Sequence, residues 1–355
     1  MFWRIELNTP ISQVPCTKMK ALTTIFLWTV FSAAISSGQV KSEPWGIYYF
    51  PSHVSFPSKT DNPQNWTAWS NSHVKGVVAR ESWAELEPTE GQFNFQKYLD
   101  PVATLSGKHG KQFEFSIYSG VHGKNQFWPS WLSSSGAQFV TFPSSGLTVA
   151  VPWDPIFQAK WQAVINAVAA RYDGKAKLRC VQMQGPGRGS ELNFGENKTD
   201  YDYLNTNFGT GWPQLWQQAA ETIAGDYMNV FVQTPLIYSN GRPLPTSVDP
   251  TNATYAAVVN YLNNTYNNSG RPPWRFGDRS SGYYLGAKPI PFYSEYGLTF
   301  QGYQQDVPRG DGAAEQCAQV VGSPYFALWF EVYDSDCADS NNYTAFDNFN
   351  TATQP

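Results

Sequence analysis

Residues 178–194 read LRCVQMQGPGRGSELNF. Leu178–Met183 is a short apolar run bounded by turn residues, the pattern of a buried strand. The chain leaves this run through Gly185-Pro186-Gly187 and Gly189, then presents a single carboxylate, Glu191. Glycines turn the backbone where other residues cannot, or let a ligand approach closely. Glu191 therefore reads either as a loop anchor or as a catalytic acid, and the flanking elements decide between the two.

Those elements alternate. Trp45–Phe50, Val74–Arg80 and Lys111–Tyr118 read as the first three strands, and Asn94–His109 reads as a helix with Tyr98, Leu99, Val102 and Leu105 on one side. Asp154 and Pro155 form a helix start, cap followed by a proline at the first helical position. Trp161, Val164, Ile165, Val168 and Tyr172 continue that helix at spacings of three and four, and Asp173-Gly174 is expected to end it on a left-handed glycine. Leu178–Met183 is then the fourth strand. A helix over Trp212–Asp226, a fifth strand over Asn229–Thr234, a helix over Ala253–Leu262 and a sixth strand near Trp274–Gly277 follow. Lys288–Glu295 reads as the seventh strand, a short helix covers Ala313–Val321, and Tyr325–Val332 is the eighth. Eight strands separated by helices, with no glycine-rich nucleotide loop after the first, predict an α/β fold, a single (β/α)8 TIM barrel. A doubly wound sheet is the alternative.

Composition narrows the function. The 355-residue chain is 41% hydrophobic, carries a net charge of −4 and has no basic runs, which argues against nucleic acid as a partner. Its 14 Trp and 20 Tyr suit both a large core and a sugar-stacking site. Lys18 and Lys20 precede the apolar stretch Ala21–Ala34, and small residues follow to Gly38. This reads as a secretory signal region over residues 1–38, removed or left as an anchor, ahead of a catalytic domain over residues 39–355. The stretch is shorter than the ~20 residues of a membrane span, so no membrane association is expected after signal removal. Met19 is an alternative initiator. Sequons at Asn65, Asn197, Asn252, Asn263, Asn267 and Asn342 fit a secreted glycoprotein. Cys16 lies before the apolar stretch, Cys317 and Cys337 are expected to close a disulfide, and Cys180 reads as a buried thiol. Four dispersed histidines make no zinc site, and no nucleotide or flavin motif is present, so no cofactor is expected.

In a (β/α)8 barrel the active site lies at the C-terminal ends of the strands. That rule singles out Arg80 after the second strand, His122 after the third, Glu191 after the fourth, Glu295 at the seventh, and Trp329 with Glu331 at the eighth.

The segment Trp83–Phe95, WAELEPTEGQFNF, resembles the W-x-x-[IL]-E-P-x-x-G-x-[FY]-[DN]-[FW] stretch after strand two of many (β/α)8 glycoside hydrolases. The large retaining clan of β-galactosidase, cellulase and xylanase relatives carries it, and β-amylases carry it more distantly. Trp128-Pro-Ser-Trp-Leu132 is similar to a P-x-W-L stretch beyond strand three in several of these families. The resemblance implies a secreted enzyme acting on an oligo- or polysaccharide, with Glu191 as general acid/base and Glu295 as nucleophile. It implies Arg80 as a donor to Glu295 and Trp329 as the platform under the sugar; Trp128 and Tyr293 read as further stacking surface, and His53 and His122 as candidates for hydrogen bonds to sugar hydroxyls. Trp83, Trp131 and Tyr296 are additional stacking candidates. Glu331 competes with Glu295 for the second carboxylate, and Arg80 has Glu81 and Glu85 as alternative ion-pair partners. Glu85, Glu87 and Glu90 read as solvated or fold-stabilising.

One position departs from the clan. Ser190 stands where an asparagine usually precedes the acid/base glutamate, and GPGRGSEL also resembles the G-P-x-G-E-L around the acid of β-amylases, which invert configuration. Two carboxyls are required in either case: one protonated to assist the leaving oxygen, one ionised to attack carbon or activate water. They stand about 5–5.5 Å apart for retention and about 6.5–9.5 Å apart for inversion. The rivals are thus an inverting hydrolase using Glu191 with another carboxylate, and a carbohydrate-binding barrel without catalysis.

Overall fold

The computed structural model describes residues 41–51, 62–187, 194, 197–238, 243–267, 276–280, 300–305, 312–322 and 325–355. Residues Gly38–Pro355 form one compact unit. Eight parallel strands close into a barrel. They are β1 (Gly46–Phe50), β2 (Gly76–Ser82), β3 (Gln112–Tyr118), β4 (Leu178–Met183), β5 (Leu236–Tyr238), β6 (Phe276–Ser280), β7 (Phe300–Gln304) and β8 (Trp329–Tyr333). β8 closes on β1, with Gly46 paired to Trp329 and Phe50 to Tyr333. The helices that pack outside are α1 (Leu99–His109), α2 (Pro155–Tyr172), α3 (Lys198–Phe208), α4 (Trp212–Val230), α5 (Ala253–Leu262), α6 (Ala313–Val320) and α7 (Tyr343–Thr353). No helix among the described residues is long and apolar enough to cross a membrane.

Local chemistry sets these boundaries. The Asp154 carboxylate accepts from the Phe157 N–H at 2.8 Å and Pro155 opens α2, which buries Phe157, Trp161, Val164, Ile165, Val168 and Tyr172. The expected glycine cap is absent: α2 ends at Asp173 in right-handed conformation. That residue has another task. Its carboxylate accepts the backbone N–H groups of Val232, Gln233 and Thr234 at 2.9–3.2 Å.

This clamp explains the misplaced fifth strand. Asn229–Thr234 was expected to be extended, yet the apolar face of α4, from Trp212 through Trp216, Ile223 and Tyr227 to Met228, carries the helix on to Val230. The N–H groups of Val232, Gln233 and Thr234 then go to Asp173, so pairing with β4 begins at Leu236. β6 likewise starts at Phe276, two residues later than expected, with Trp274 outside the described residues. The expected seventh strand, Lys288–Glu295, lies outside the described residues, and the seventh place in the barrel belongs to Phe300–Gln304.

Alternation along each strand sends side chains either into the barrel or toward the helices. Tyr48, Phe50, Val78, Cys180, Ile237 and Trp329 form an interior cluster separate from the large outer core. At the N-terminal end, two glycines make room for two aromatic plugs. A Cβ on Gly76 would collide with the Tyr48 ring, and one on Gly302 with the Trp329 ring. The Tyr48 hydroxyl donates to Gln112 Oε1 at 2.8 Å, and the Cys180 thiol donates to Glu114 Oε2 at 3.1 Å. Burial first, then the neighbouring Cys180 and Glu114, pushes the Tyr48 phenol well up.

Candidate active site at the barrel mouth

The C-terminal ends of the strands converge on a polar mouth. Counting outward from Gln112 and Glu114, the inward-facing positions of β3 are Ser116 and Tyr118; from Cys180, those of β4 are Gln182 and then Gln184. Gln184 is fully buried, yet among the described residues neither its amide oxygen nor its amide nitrogen has a hydrogen-bond partner, and the buried hydroxyls of Ser116 and Ser119 lack one as well. Across the mouth, Gln305 is also buried. Its Oε1 accepts from the Tyr333 N–H at 3.0 Å, while its Nε2 has no partner. Gln304 Nε2 donates to the Tyr333 hydroxyl at 3.1 Å. Buried polar groups are almost always satisfied, and each exception calls for an explanation. Four of these exceptions, Ser116, Ser119, Gln184 and Gln305, lie at the end where barrels of this class do chemistry.

The stretch that carries Glu191 lies outside the described residues, but both of its ends are held. On one side Gly187 meets Gly120: a Cβ on Gly120 would collide with the Gly187 backbone, and the Val121 N–H donates to the Gly187 carbonyl at 2.9 Å. On the other side Phe194 is fully buried in an aromatic box of Phe142, Trp153 and Trp212, with ring centroids at 5.3, 5.5 and 6.0 Å. The strand exit itself is pinned too. The Trp161 indole donates to the Gln184 carbonyl at 3.0 Å, and the Gln184 N–H reaches the Tyr227 hydroxyl at 3.4 Å.

The remaining site residues divide. Arg80 is half-buried on the interior side of β2, its guanidinium 3.9 Å over the Phe50 ring and donating to the Pro51 carbonyl. His122 is exposed in the hairpin Val121–His122/Asn125–Gln126 that follows β3, on the mouth side. Glu295, Tyr293 and Tyr296 lie outside the described residues, as do His53 and residues 1–40.

Three expectations change. Trp329 is no sugar platform: it is the first residue of β8, fully buried at the N-terminal end of the barrel, with its ring against Gly302. Glu331 is not a rim group: it sits mid-strand, fully buried, paired in register with Tyr48 on one side and Gln304 on the other. Trp128 offers no open face. Its indole donates to the Thr148 carbonyl at 3.0 Å and its ring packs on Phe139 at 4.4 Å, fastening the Phe139–Thr141/Thr148–Ala150 hairpin. Trp83 is likewise core.

The Trp83–Phe95 segment acts as a brace. The Glu87 carboxylate accepts from the Trp83 indole and the Gly91 N–H, both at 2.6 Å, and the Trp131 indole donates to its carbonyl at 2.8 Å. Burial raises the Glu87 carboxyl above its ordinary value, with these hydrogen bonds opposing. Glu85 pairs with Lys97 and Glu90 with Lys160 at the surface. The expected disulfide is not formed. Cys317 and Cys337 are both buried free thiols, and Cys337 donates to the Val332 carbonyl at 3.3 Å instead. Cys180 is a buried thiol, as read from the sequence.

Gln184 and Ser116 were missed, although a signal existed. In CVQMQ the polar residues recur at every second position within an otherwise apolar strand, so both glutamines share the face that looks into the barrel.

Comparison with solved structures identifies the architecture. The catalytic domain of β-amylase from Paenibacillus polymyxa superposes with a TM-score of 0.60 at 12% identity, covering 89% of this chain and 100% of that one. Endo-glycoceramidase II from Rhodococcus sp., solved with a cellobiose-like imidazole, gives a TM-score of 0.52 at 11% identity, covering 87% and 80%. The chain shares its fold with these glycoside hydrolase barrels. No family model and no curated protein sequence matches it.

Proposed function

We propose that this chain is a secreted glycoside hydrolase that cleaves β-linked glycans or glycosides at the C-terminal mouth of its barrel. The observation that carries this reading is the held exit of β4. Glu191 is four residues from Gly187 and three from Phe194, and a chain spans at most about 3.6 Å per residue. A reach of at most about 14 Å from Gly187 and about 11 Å from Phe194 supports a position for this carboxylate near the mouth that carries Gln184 and Ser116. A polyol substrate is the chemical complement of such a surface, since each hydroxyl both donates and accepts.

In this reading Glu191 protonates the leaving oxygen and then activates water, and Glu295 attacks the anomeric carbon, giving net retention. Assignment of Glu295 rests on the sequence resemblance. Burial of Glu331 at mid-strand supports Glu295 over this main competitor. The G-P-x-G-E-L likeness supports an inverting mechanism as the second reading.

Proton NMR of the first-formed product from an aryl β-glycoside separates the two: β-anomer for retention, α-anomer for inversion. With E295G, azide is expected to restore turnover and yield the α-glycosyl azide, while E191A with azide yields the β-azide. Full activity in E295G, with E331Q folded and inactive, would transfer the second role to Glu331. No turnover of any glycoside by the folded wild-type protein would leave only the carbohydrate-binding reading.

A further inference from the structure

The six sequons are not equivalent in the fold. Asn65 sits in the short helical turn Pro63–Asn65 between β1 and β2, exposed, with Thr67 exposed two residues on and the intervening Trp66 buried in the core. Its backbone N–H is satisfied by Asn62 O at 2.9 Å, so the local fold does not depend on its side-chain amide. That turn packs against α1 on the outside of the barrel.

Two other sequon asparagines spend their side chains on the fold, and a third is buried. Asn342 is 9% exposed and its amide donates to the Asp336 carbonyl at 3.0 Å. Asn197 caps α3: its Oδ1 accepts from the Asp200 N–H and its Nδ2 donates to Asp200 Oδ2, both at 2.9 Å. Asp200 is itself fully buried and holds Ser144 through N–H and hydroxyl, so this cap is part of a closed network. Asn252 is 8% exposed in left-handed conformation, with φ of 57° at the start of α5.

We infer that Asn65 carries an N-linked glycan and that Asn197, Asn252 and Asn342 are bare in the folded protein. A glycan occupies the amide nitrogen and adds a large solvated group. At Asn342 and Asn197 it would cost a hydrogen bond and force open a buried contact; at Asn252 it would need a path to solvent that the packing closes. At Asn65 it costs neither. The inference rests on the secretory part of the proposed function and is independent of the catalytic part.

The test is expression of the full chain in a eukaryotic secretory host, followed by peptide-N-glycosidase treatment in heavy-oxygen water and peptide mapping. Labelled aspartate is expected at position 65 and absent at 197, 252 and 342. N65Q and, independently, T67A should each shift the secreted protein by one glycan step on a gel, whereas N342Q should not. A secreted, folded chain with bare Asn65, or with a glycan at any of the other three, would overturn the assignment. A chain retained in the cytosol would overturn the secretory reading on which it rests, while hydrolysis by the same sample would leave the catalytic reading standing.

Discussion

The two ends of the barrel interior are built on opposite terms. At the N-terminal end, Tyr48 and Trp329 lie flat against Gly76 and Gly302, and two polar pairs are matched among them, Tyr48 to Gln112 and Cys180 to Glu114. At the C-terminal end, Ser116, Ser119, Gln184 and one nitrogen of Gln305 are buried with unused hydrogen-bonding capacity. The first arrangement maximises packing, since interiors approach crystal density and tolerate few voids. The second gives up stability, because an unsatisfied buried polar group costs about 1–3 kcal/mol. A fold keeps such a cost where a ligand repays it. The proposed function assigns the ligand to the C-terminal end.

Substitutions at the two ends should therefore behave oppositely. W329A empties the plug and should lower unfolding free energy by about 4–5 kcal/mol, within the range for large aromatic truncations. Urea denaturation checks this, and residual folded enzyme should retain its KM. A change below about 1 kcal/mol would show that the N-terminal end is not close-packed.

F194A breaks the aromatic box behind Glu191. It should cost about 3 kcal/mol in stability and lower kcat more than KM, because the acid loses its fixed position while the sugar contacts remain. A fall in stability with unchanged kcat would uncouple the box from the chemistry.

At the mouth, Q184L removes two unsatisfied atoms at nearly constant volume. Thermal unfolding should be unchanged or raised, by up to about 1 kcal/mol. Yet kcat/KM should fall about tenfold, the equivalent of one lost hydrogen bond of about 1.4 kcal/mol. Destabilisation with intact activity would reverse the comparison.

The smallest effect concerns two lysines away from the mouth. Burial lowers the Lys41 ammonium to about 8, against the opposing charge of Asp173, and lowers Lys111 to about 8 with help from Lys75. Both sit in the ordinary range near 10.5 when unfolded. Between these values the unfolded chain binds more protons, so stability rises with pH from about 8 to 10.5. Denaturation at either end of that window should show a shallower slope in K41M and K111M than in the wild type.

The sequence made the first half of the barrel legible because its elements are long and regular. α2 and β4 occupy the residues expected from capping and apolar runs alone. The second half was harder for a local reason at each point. β5 is three residues long and preceded by a helix whose apolar face does not stop at Asp226. The carboxylate that ends the helical run, Asp173, lies some sixty residues upstream and leaves no local mark. For β7 the proline-rich run before it resembled a strand, and the barrel takes Phe300–Gln304 instead. Of the site, the β4 exit was readable from glycines and a lone glutamate. The misplacement of Trp329 followed from counting strands without knowing at which end of β8 the residue falls, a matter of register that one residue's shift decides.

The central claim is that Glu191, which follows β4 in sequence, is the acid of a glycosidase. The most direct measurement is the pH dependence of kcat/KM for wild type and E191Q on two aryl β-glycosides, one with a poor and one with a good leaving group. The account predicts that E191Q keeps its fold, loses the alkaline limb of the profile, and loses far more activity on the poor leaving group than on the good one. Equal losses on both substrates, or an unchanged profile, would contradict it.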